Sequence, residues 1–230
     1  MNSHSLLLYG FLIGIPLILG LYAQMKVSGA FSRWKEVPVA SGLTGADAAR
    51  QILNAAGIYN VEVAPIDTML GDHYDPSSKK LCLSPDVYNG ASVAAVGIAA
   101  HETGHAIQDA RAYAPLHFRM AIVPITQYAS QLLPFVILGG FFFQISGLIT
   151  LGAICYLVLT IFQLVTLPVE FDASKRAKII LQKMGIVGAR EEIDGVNDVL
   201  NSAALTYVAA FVASLGNLIY LLLLRRSSEE

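Results

Sequence analysis

The chain has 230 residues, of which 55% are hydrophobic and only 14% are charged, and its mean hydropathy is +0.58. A soluble domain of this length is less apolar, so the composition indicates a polytopic membrane protein. The net charge of −2 identifies no partner, and the absence of a basic stripe interleaved with aromatic residues excludes nucleic-acid binding of the usual kind. The two cysteines, Cys82 and Cys155, fall in a predicted strand and a predicted membrane helix, so we predict two buried thiols and no disulfide.

The first element is an apolar stretch, residues 6–25, which is long enough to span a bilayer and holds no charged residue. A cleavable signal peptide would carry a basic region before the apolar run and a small-residue cleavage site after it. Neither feature is evident here. We therefore predict that this stretch is the first transmembrane helix.

Residues 26–117 form the main water-facing segment of the predicted fold. The stretch from Thr44 to Ala56 has the pattern of a helix that is capped at its first residue. Alternation in residues 61–63 and 81–83 predicts two short strands, and turn-forming residues fill the stretch 71–80 between them.

The next helix carries the pentapeptide HETGH at residues 101–105, which is an HExxH motif. Small apolar residues at 93–100 precede it and predict a buried helix, which Ser92 or Asn89 can cap. Positions i and i+4 share one face of a helix, so both imidazoles of the motif can bind one zinc ion. Glu102 can take the proton of a zinc-polarised water and return it to a leaving amine. The alternative is a surface-facing helix end with incidental histidines.

Two parts of the water-facing segment are candidates for contact with a substrate. In zinc peptidases an edge strand beside the metal commonly binds the substrate backbone by strand addition. This predicts a substrate-binding role for Leu81, Leu83 and Ser84, with a core hairpin as the alternative. His73 or Tyr74, in a polar loop, can donate to an oxyanion, and ordinary turn formation by that loop is the alternative.

Residues 118–143 and 145–167 are two further apolar spans, joined by a tight turn near Gln144. In the first of these spans, Pro124 and Pro134 predict kinks. Four polar residues recur there at helical spacing, which indicates either packing against another helix or a path for water or substrate to the metal. These residues are Thr126, Gln127, Ser130 and Gln131.

The segment 168–202 faces water again and contains two candidates for a third metal ligand. Pro168 suits the first turn of a helix, and Glu170 lies in that turn and is the better candidate. An acidic residue in a first turn is also what the helix dipole favours. Asp172 lies about 200° further round the helix, so it cannot face the same ion as Glu170. Residues 203–224 form the fourth apolar span.

The motif HETGH, the two membrane segments after it and the sequence PVEFDASKRA at 168–177 resemble the bacterial membrane-bound neutral zinc metallopeptidases called the YugP family. The resemblance covers nearly the whole chain, including SGLTG at 41–45 and GDHYDP at 71–76. It implies a zinc-dependent endopeptidase with one zinc ion, Glu102 as the base, and three ligands, His101, His105 and Glu170. The chain is more distantly similar to HtpX-type proteases and CAAX prenyl proteases, which place an aspartate four residues after the glutamate ligand. This chain has Ser174 at that position, which puts a carboxylate partner there in doubt.

The sequence therefore predicts an α-helical polytopic membrane protein of about four transmembrane helices, with a small α/β gluzincin-like zinc-peptidase domain. The predicted reaction is hydrolysis of peptide bonds in membrane or membrane-proximal proteins. The alternative is a non-catalytic membrane scaffold that keeps zinc to hold its fold, but such a scaffold would not need Glu102. A transporter is a third possibility, and it is disfavoured because no charged residue lies deep within a predicted span.

The distribution of basic residues predicts how the chain is oriented. The segments 26–117 and 168–202, with the adjoining Arg119, hold 13 of the 15 Lys and Arg residues. Cytoplasmic loops carry the excess of these residues, so the zinc domain is predicted to face the cytoplasm of a bacterial inner membrane. A polypeptide substrate and membrane lipid are the predicted partners, with no nucleic acid. The oligomeric state is left open.

Overall fold

The computed structural model describes residues 10–69, 71–143 and 145–229. The first four residues of the first predicted span and the turn near Gln144 lie outside the described residues. A π-helical turn, Gly10–Gly14, leads into seven α-helices and three short strands within the described chain. In chain order these are α1 (Ile15–Trp34), α2 (Gly45–Ala55), β1 (Glu62–Pro65), β2 (His73–Asp75), β3 (Lys80–Leu83), α3 (Pro85–Tyr88), α4 (Val93–Ala110), α5 (Ala114–Phe143), α6 (Ser146–Lys183) and α7 (Arg190–Glu229).

Among the described residues, four helices are long and apolar enough to cross a membrane: Gly10–Trp34, Ala114–Gly140, Gly147–Lys183 and Arg190–Arg226. The last two continue well past an apolar span. At about 1.5 Å per residue, the 38 residues of α6 extend about 57 Å, whereas the hydrocarbon core is only about 30 Å thick. Almost half of α6 therefore projects beyond the hydrocarbon.

The prediction that Pro168 begins a new helix is wrong, because Pro168 lies inside α6. A proline in a helix interior removes one backbone hydrogen bond, and helices that cross membranes tolerate this loss where neighbouring groups satisfy the freed carbonyl. The predicted polar stretch and the fourth span are likewise one continuous helix, α7.

The chain divides into two compact units. The apolar unit contains the residues up to Gln24, together with Phe118–Leu167 and the chain from Leu205 onward. The motif unit contains Met25–His117 and Pro168–Ala204. The HExxH motif and Glu170 therefore belong to the same unit, although two apolar spans separate them in sequence.

The motif unit contains a three-stranded sheet in the order β1-β3-β2. β1 runs parallel to β3, with Val63 opposite Leu81, and β2 runs antiparallel to β3, with Tyr74 also opposite Leu81. The predicted edge strand at Leu81, Leu83 and Ser84 is therefore wrong, since β3 is the central strand and both of its sides are paired. Residues 71–80 are not turn alone, because they contain β2.

The core of the motif unit forms around α4. Val93 and Val96 of α4 have no exposed surface, and they belong to one hydrophobic cluster with Ile52 of α2, Leu181 of α6 and Val196 of α7. The small residues that precede the motif let these neighbours approach α4 from several directions. This packing fixes the helix that carries the two histidines.

The predicted helix caps are confirmed. The Thr44 hydroxyl accepts a hydrogen bond from the backbone N–H of Asp47 at the start of α2, at 3.1 Å. The Ser92 hydroxyl does the same for Ala95 at the start of α4, at 3.2 Å. Ser92, rather than Asn89, is therefore the residue that caps the motif helix.

Both cysteines are free, as predicted. Cys155 is buried, whereas Cys82 is only half-buried. Alternate side chains of a strand point to opposite faces of the sheet, and Leu81 and Leu83, on either side of Cys82, take the buried face of β3. The prediction of a buried thiol is therefore wrong for Cys82.

Candidate metal centre

Three side chains from two helices converge inside the motif unit. His101 and His105 lie one turn apart on α4, and Glu170 lies on α6; all three are buried. Their possible ligand atoms all lie within 4.8 Å of one another. Glu170 Oε2 is 3.2 Å from His101 Nε2 and 3.5 Å from His105 Nε2. This cluster can hold a metal ion.

Gly104, inside the motif, explains how α6 comes so close to α4. A Cβ atom at this position would lie 2.8 Å from the carbonyl oxygen of Ala173 and 3.1 Å from its Cα. Both distances are shorter than normal packing allows, so only glycine fits between the two backbones. Ala173 lies about one turn after Glu170, and the close contact therefore brings the carboxylate within reach of both imidazoles.

Behind His105, a buried amide determines which ring nitrogen carries the proton. Gln108 has no exposed surface, and its Nε2 donates to the Val169 carbonyl at 2.8 Å and to Asp172 Oδ2 at 2.9 Å. Its Oε1 lies 3.0 Å from His105 Nδ1. Because an amide oxygen only accepts, the Nδ1 of His105 must be the donor, which leaves the Nε2 lone pair directed at the ligand cluster.

Asp172, the weaker of the two sequence candidates for third ligand, belongs to this network instead. It accepts from Gln108 and, at 2.5 Å, from Arg176 Nε one turn further along α6. The Arg176 guanidinium lies 6.0 Å from the centre of the Tyr113 ring, within the range of a cation–π contact. Glu170 and Asp172 thus take different positions, one in the cluster and one behind His105.

Behind His101 the partner is a hydroxyl. Ser174 Oγ lies 3.1 Å from His101 Nδ1, and Ser174 is buried. Ser174 lies one turn after Glu170, at the position where the distant resemblance to HtpX-type and CAAX prenyl proteases implies an aspartate. The serine keeps a hydrogen-bond partner for the imidazole but brings no negative charge. A hydroxyl can either donate or accept, so it does not fix the tautomer of His101.

Glu102 lies beside the cluster without being part of it, and it is only half-buried. The pKa of this carboxyl is raised, first by burial and also by the charges of Glu170 and Asp72, although the two histidines act in the opposite direction. Burial alone would lower the pKa of His105, but the neighbouring Glu170 and Glu102 carboxylates outweigh it and raise that pKa. Acidic groups and imidazoles are therefore concentrated in and around the buried cluster.

This donor set fits zinc. Two imidazole nitrogens and one carboxylate oxygen are ligands that zinc prefers, and three protein ligands leave a fourth position open, as in catalytic zinc sites. The Nδ1 atoms of both histidines have hydrogen-bond partners, and such partners commonly orient histidines that bind metals. Carboxylates buried without a cation would be costly, and zinc would remove that cost.

The two candidate oxyanion donors are not brought into the cluster. The Tyr74 hydroxyl donates to Asp109 Oδ2 at 2.6 Å, and Lys79 Nζ lies 2.5 Å from the same oxygen. Burial and the bond to Asp109 raise the pKa of Tyr74. His73 is exposed, and its Nδ1 lies 2.7 Å from the Gly71 carbonyl oxygen. Neighbouring residues of a strand point to opposite faces, so Tyr74 faces α4 and His73 faces away.

Ser84 is also engaged elsewhere. Its backbone N–H and its hydroxyl both donate to Asp72 Oδ1, at 2.7 and 3.0 Å, and Ser84 itself is buried. Burial raises the pKa of Asp72, against the effect of the bonds from Ser84. The charge of Asp72 acts on Glu102, so this carboxylate belongs to the surroundings of the site. Sequence reasoning placed it in a turn.

Comparison with known proteins identifies the group of proteins that this chain resembles. Residues 9–226 match the family model described as "Putative neutral zinc metallopeptidase". The chain is also 45% identical over 213 residues to "Putative membrane protease YugP" of Bacillus subtilis (strain 168), which covers 93% of this chain and 94% of that protein. No solved structure matches the chain. The relative and the four apolar helices together show a membrane protein.

Proposed function

This chain belongs to the neutral zinc metallopeptidase family, and we propose that it is a membrane-bound, zinc-dependent endopeptidase. Its proposed substrates are membrane or membrane-proximal proteins. The observation that supports this most directly is the convergence of three buried ligand side chains from α4 and α6, with Glu102 beside them. A motif helix that supplies two histidines and a second helix that supplies a glutamate support a gluzincin-like arrangement of the site.

In this proposal the ligands are His101, His105 and Glu170. Bound there, zinc supplies Lewis acidity to the substrate carbonyl and to the attacking water. Glu102 acts as the general base, because it follows one ligand directly, stays outside the ligand cluster and keeps part of its surface exposed. Its carboxylate takes a proton from water and delivers it to the leaving amine. Gln108 and Ser174 hold the two imidazoles in place.

The substrate backbone cannot pair with β3, because both sides of this central strand are already paired. β2 is an outer strand of the sheet, and the bond from Tyr74 to Asp109 links it to α4 about one turn after His105. An extended peptide adds to the unpaired side of an outer strand. We therefore propose β2 as the strand that the substrate pairs with. His73 is exposed on this strand, and in this proposal it contacts a side chain of the substrate.

The test of the function is Glu102→Gln in the full-length protein, purified in detergent. This variant should bind zinc as the unchanged protein does and lose roughly 10²–10⁴-fold in peptide-bond cleavage, which is the usual effect of removing a general base. The variant should also trap substrates that mass spectrometry can identify. Glu62→Gln, at an exposed residue of β1, is the matched control and should leave cleavage unchanged. Undiminished turnover in Glu102→Gln would exclude the proposed base, and zinc retention without any cleavage by the unchanged protein would favour a scaffold.

We also propose that the protein lies in a bacterial cytoplasmic membrane with the motif unit on the cytoplasmic side. The two water-facing segments that carry 13 of 15 Lys and Arg residues, counted with Arg119, form one compact unit. They must therefore share one side of the membrane, and the excess of basic residues favours the cytoplasm. In a Cys82→Ser background, Ser78→Cys should react with a membrane-impermeant thiol reagent only after the cells are opened. Labelling of intact cells would place the site outside.

A further inference from the structure

Two amide side chains in α5 point away from the rest of the chain. Ala129 and Val136 are 7% and 3% exposed and mark the packed face of this helix. Gln127 and Gln131 are both exposed. At about 100° per residue, the two glutamines lie roughly 140–180° round the helix from the packed residues. Together with the exposed Ser130 they form what we call the amide face.

The amide face lies deep in the membrane. Arg119 is the last charged residue of α5, and a charged residue at the end of a span marks the interface. At about 1.5 Å per residue, Gln127 lies about 12 Å and Gln131 about 18 Å further along the helix. The hydrocarbon core is about 30 Å thick. Both amides therefore lie well inside it, each about 3 Å from its middle.

Within the described part of the chain, neither Gln127 nor Gln131 has a side-chain hydrogen bond. An amide in hydrocarbon without a hydrogen-bond partner is strongly destabilising. By contrast, the neighbouring Thr126 satisfies itself by donating to the Ile122 carbonyl at 2.8 Å. The amide face therefore requires a polar partner at the same depth that the described chain does not supply.

We propose that this partner is the amide face of a second copy of the same chain. All copies insert into the membrane in one orientation, so a two-fold axis along the membrane normal brings identical residues to the same depth. Gln127 then meets Gln127 of the other copy, and Gln131 meets Gln131. A carboxamide has both a donor and an acceptor, so two identical amides satisfy each other, which a side chain that only donates or only accepts does not do. Glutamine pairs of this kind hold membrane helices together.

The surroundings of the amide face fit such an interface. Tyr128, Phe135 and Leu138 are 74%, 74% and 57% exposed and flank the two amides on the same outer side. Large side chains next to a polar pair supply the van der Waals contact that membrane helices need in order to associate. Isologous pairs of this type, with the same surface on both subunits, are the commonest oligomers.

Disulfide cross-linking of full-length protein in native membranes tests the proposal. In a Cys82→Ser, Cys155→Ala background, Gln131→Cys should give a covalent product of twice the chain mass under mild oxidation. Ala129→Cys is the matched control, because it lies at nearly the same depth on the packed face, and it should give none. No product from Gln131→Cys, an equal product from Ala129→Cys, or a product that contains a different protein would overturn the proposal.

A second measurement keeps both native cysteines. The dissociation constant of the protein in lipid bilayers is measured by energy transfer between labelled copies. Gln127→Leu with Gln131→Leu should weaken association by about 3- to 30-fold for each amide pair removed. Leucine favours both the helix and the lipid, so the fold should persist. Asn217→Leu, in α7, is the control, because the Asn217 amide already donates to the Ala213 carbonyl at 2.8 Å, and it should have no effect. Unchanged association in the double variant, or equal loss in Asn217→Leu, would overturn the proposal.

Discussion

The two histidines of the motif lie one turn apart on the same helix, yet the chain holds them by different means. His105 is backed by a fully buried amide, Gln108, which is itself fixed by the Val169 carbonyl and by Asp172. Asp172 in turn is held by Arg176. His101 is backed by one hydroxyl, that of Ser174. One ring is therefore supported by a chain of bonds that ends in an ion pair, and the other by a single neutral group.

This difference assigns separate tasks to the two rings. The tautomer of His105 is set by the protein, since only Nδ1–H satisfies the amide oxygen. Nothing about Ser174 imposes a tautomer on His101, because its hydroxyl can donate or accept. His105 is therefore prepared for a ligand in advance, whereas His101 can adjust its proton when an ion arrives.

The largest loss of zinc affinity is expected on removing Glu170, whose carboxylate lies close to both imidazoles. Glu170→Ala removes one of the three metal ligands. Zinc affinity should therefore fall by more than about 100-fold, which exceeds the 10–100-fold loss typical of removing a hydrogen-bond partner of a ligand. Asp172→Ala acts only through Gln108 and should cost about 10-fold. Chelator competition with purified protein measures both values. A larger loss in Asp172→Ala than in Glu170→Ala would exchange the two roles.

The next largest loss of zinc affinity is expected on replacing Gln108. Gln108→Leu removes the acceptor for His105 Nδ1 and leaves the Val169 carbonyl without its donor, so zinc affinity should fall about 10–100-fold. Gln108→Glu tests the direction of the amide, because its second oxygen would face the Val169 carbonyl and Asp172 with no hydrogen to share. We expect this variant to bind zinc no better than Gln108→Leu.

Gln51→Leu, at an exposed glutamine of α2, is the matched control for Gln108 and should change nothing. Nitrogen chemical shifts of the unchanged protein without metal, recorded above the raised pKa of His105, should show the proton of this ring on Nδ1 and none on Nε2. If that proton were found on Nε2, the amide would not set the tautomer, and the asymmetry between the two rings would disappear.

The metal-binding cluster could be predicted from the sequence, whereas the hydrogen bonds that orient its histidines could not. His101 and His105 are adjacent on a helix by the arithmetic of 3.6 residues per turn, and Glu170 followed from the family resemblance. The role of Gln108 depends on contacts between α4 and α6, and a glutamine three residues after a histidine is not distinctive by itself. The one available signal was its place in an otherwise apolar, buried helix, where an amide needs partners.

The strand β2 also could not be predicted from the sequence, because it depends on contacts with another strand. The sequence GDHYDP at 71–76 has the composition of a turn, and β2 is only three residues long. Its residues do not favour a strand by themselves, and pairing with β3 stabilises it, since strand stability comes largely from cross-strand neighbours. That missed strand moved β3 from the edge to the centre of the sheet. The predicted edge position of Leu81, Leu83 and Ser84 is wrong for this reason.

The smallest change in zinc affinity is expected from Ser174, the hydrogen-bond partner of His101. Two variants distinguish the effect of having a partner at this position from the effect of its charge. Ser174→Ala removes one neutral hydrogen bond, worth about 1 kcal/mol, so zinc affinity should fall by only about 5-fold. Ser174→Asp places a carboxylate beside His101 and should raise zinc affinity above that of the unchanged protein, because a carboxylate partner makes the imidazole a stronger ligand. Ser202→Ala is the matched control, since the Ser202 hydroxyl is buried and has no hydrogen-bond partner among the described residues. A loss in Ser174→Ala as large as in Gln108→Leu would show that both imidazoles depend equally on their partners. A rise in Ser174→Asp would show instead that this chain keeps one weakly supported histidine where its structure could hold two strongly supported ones.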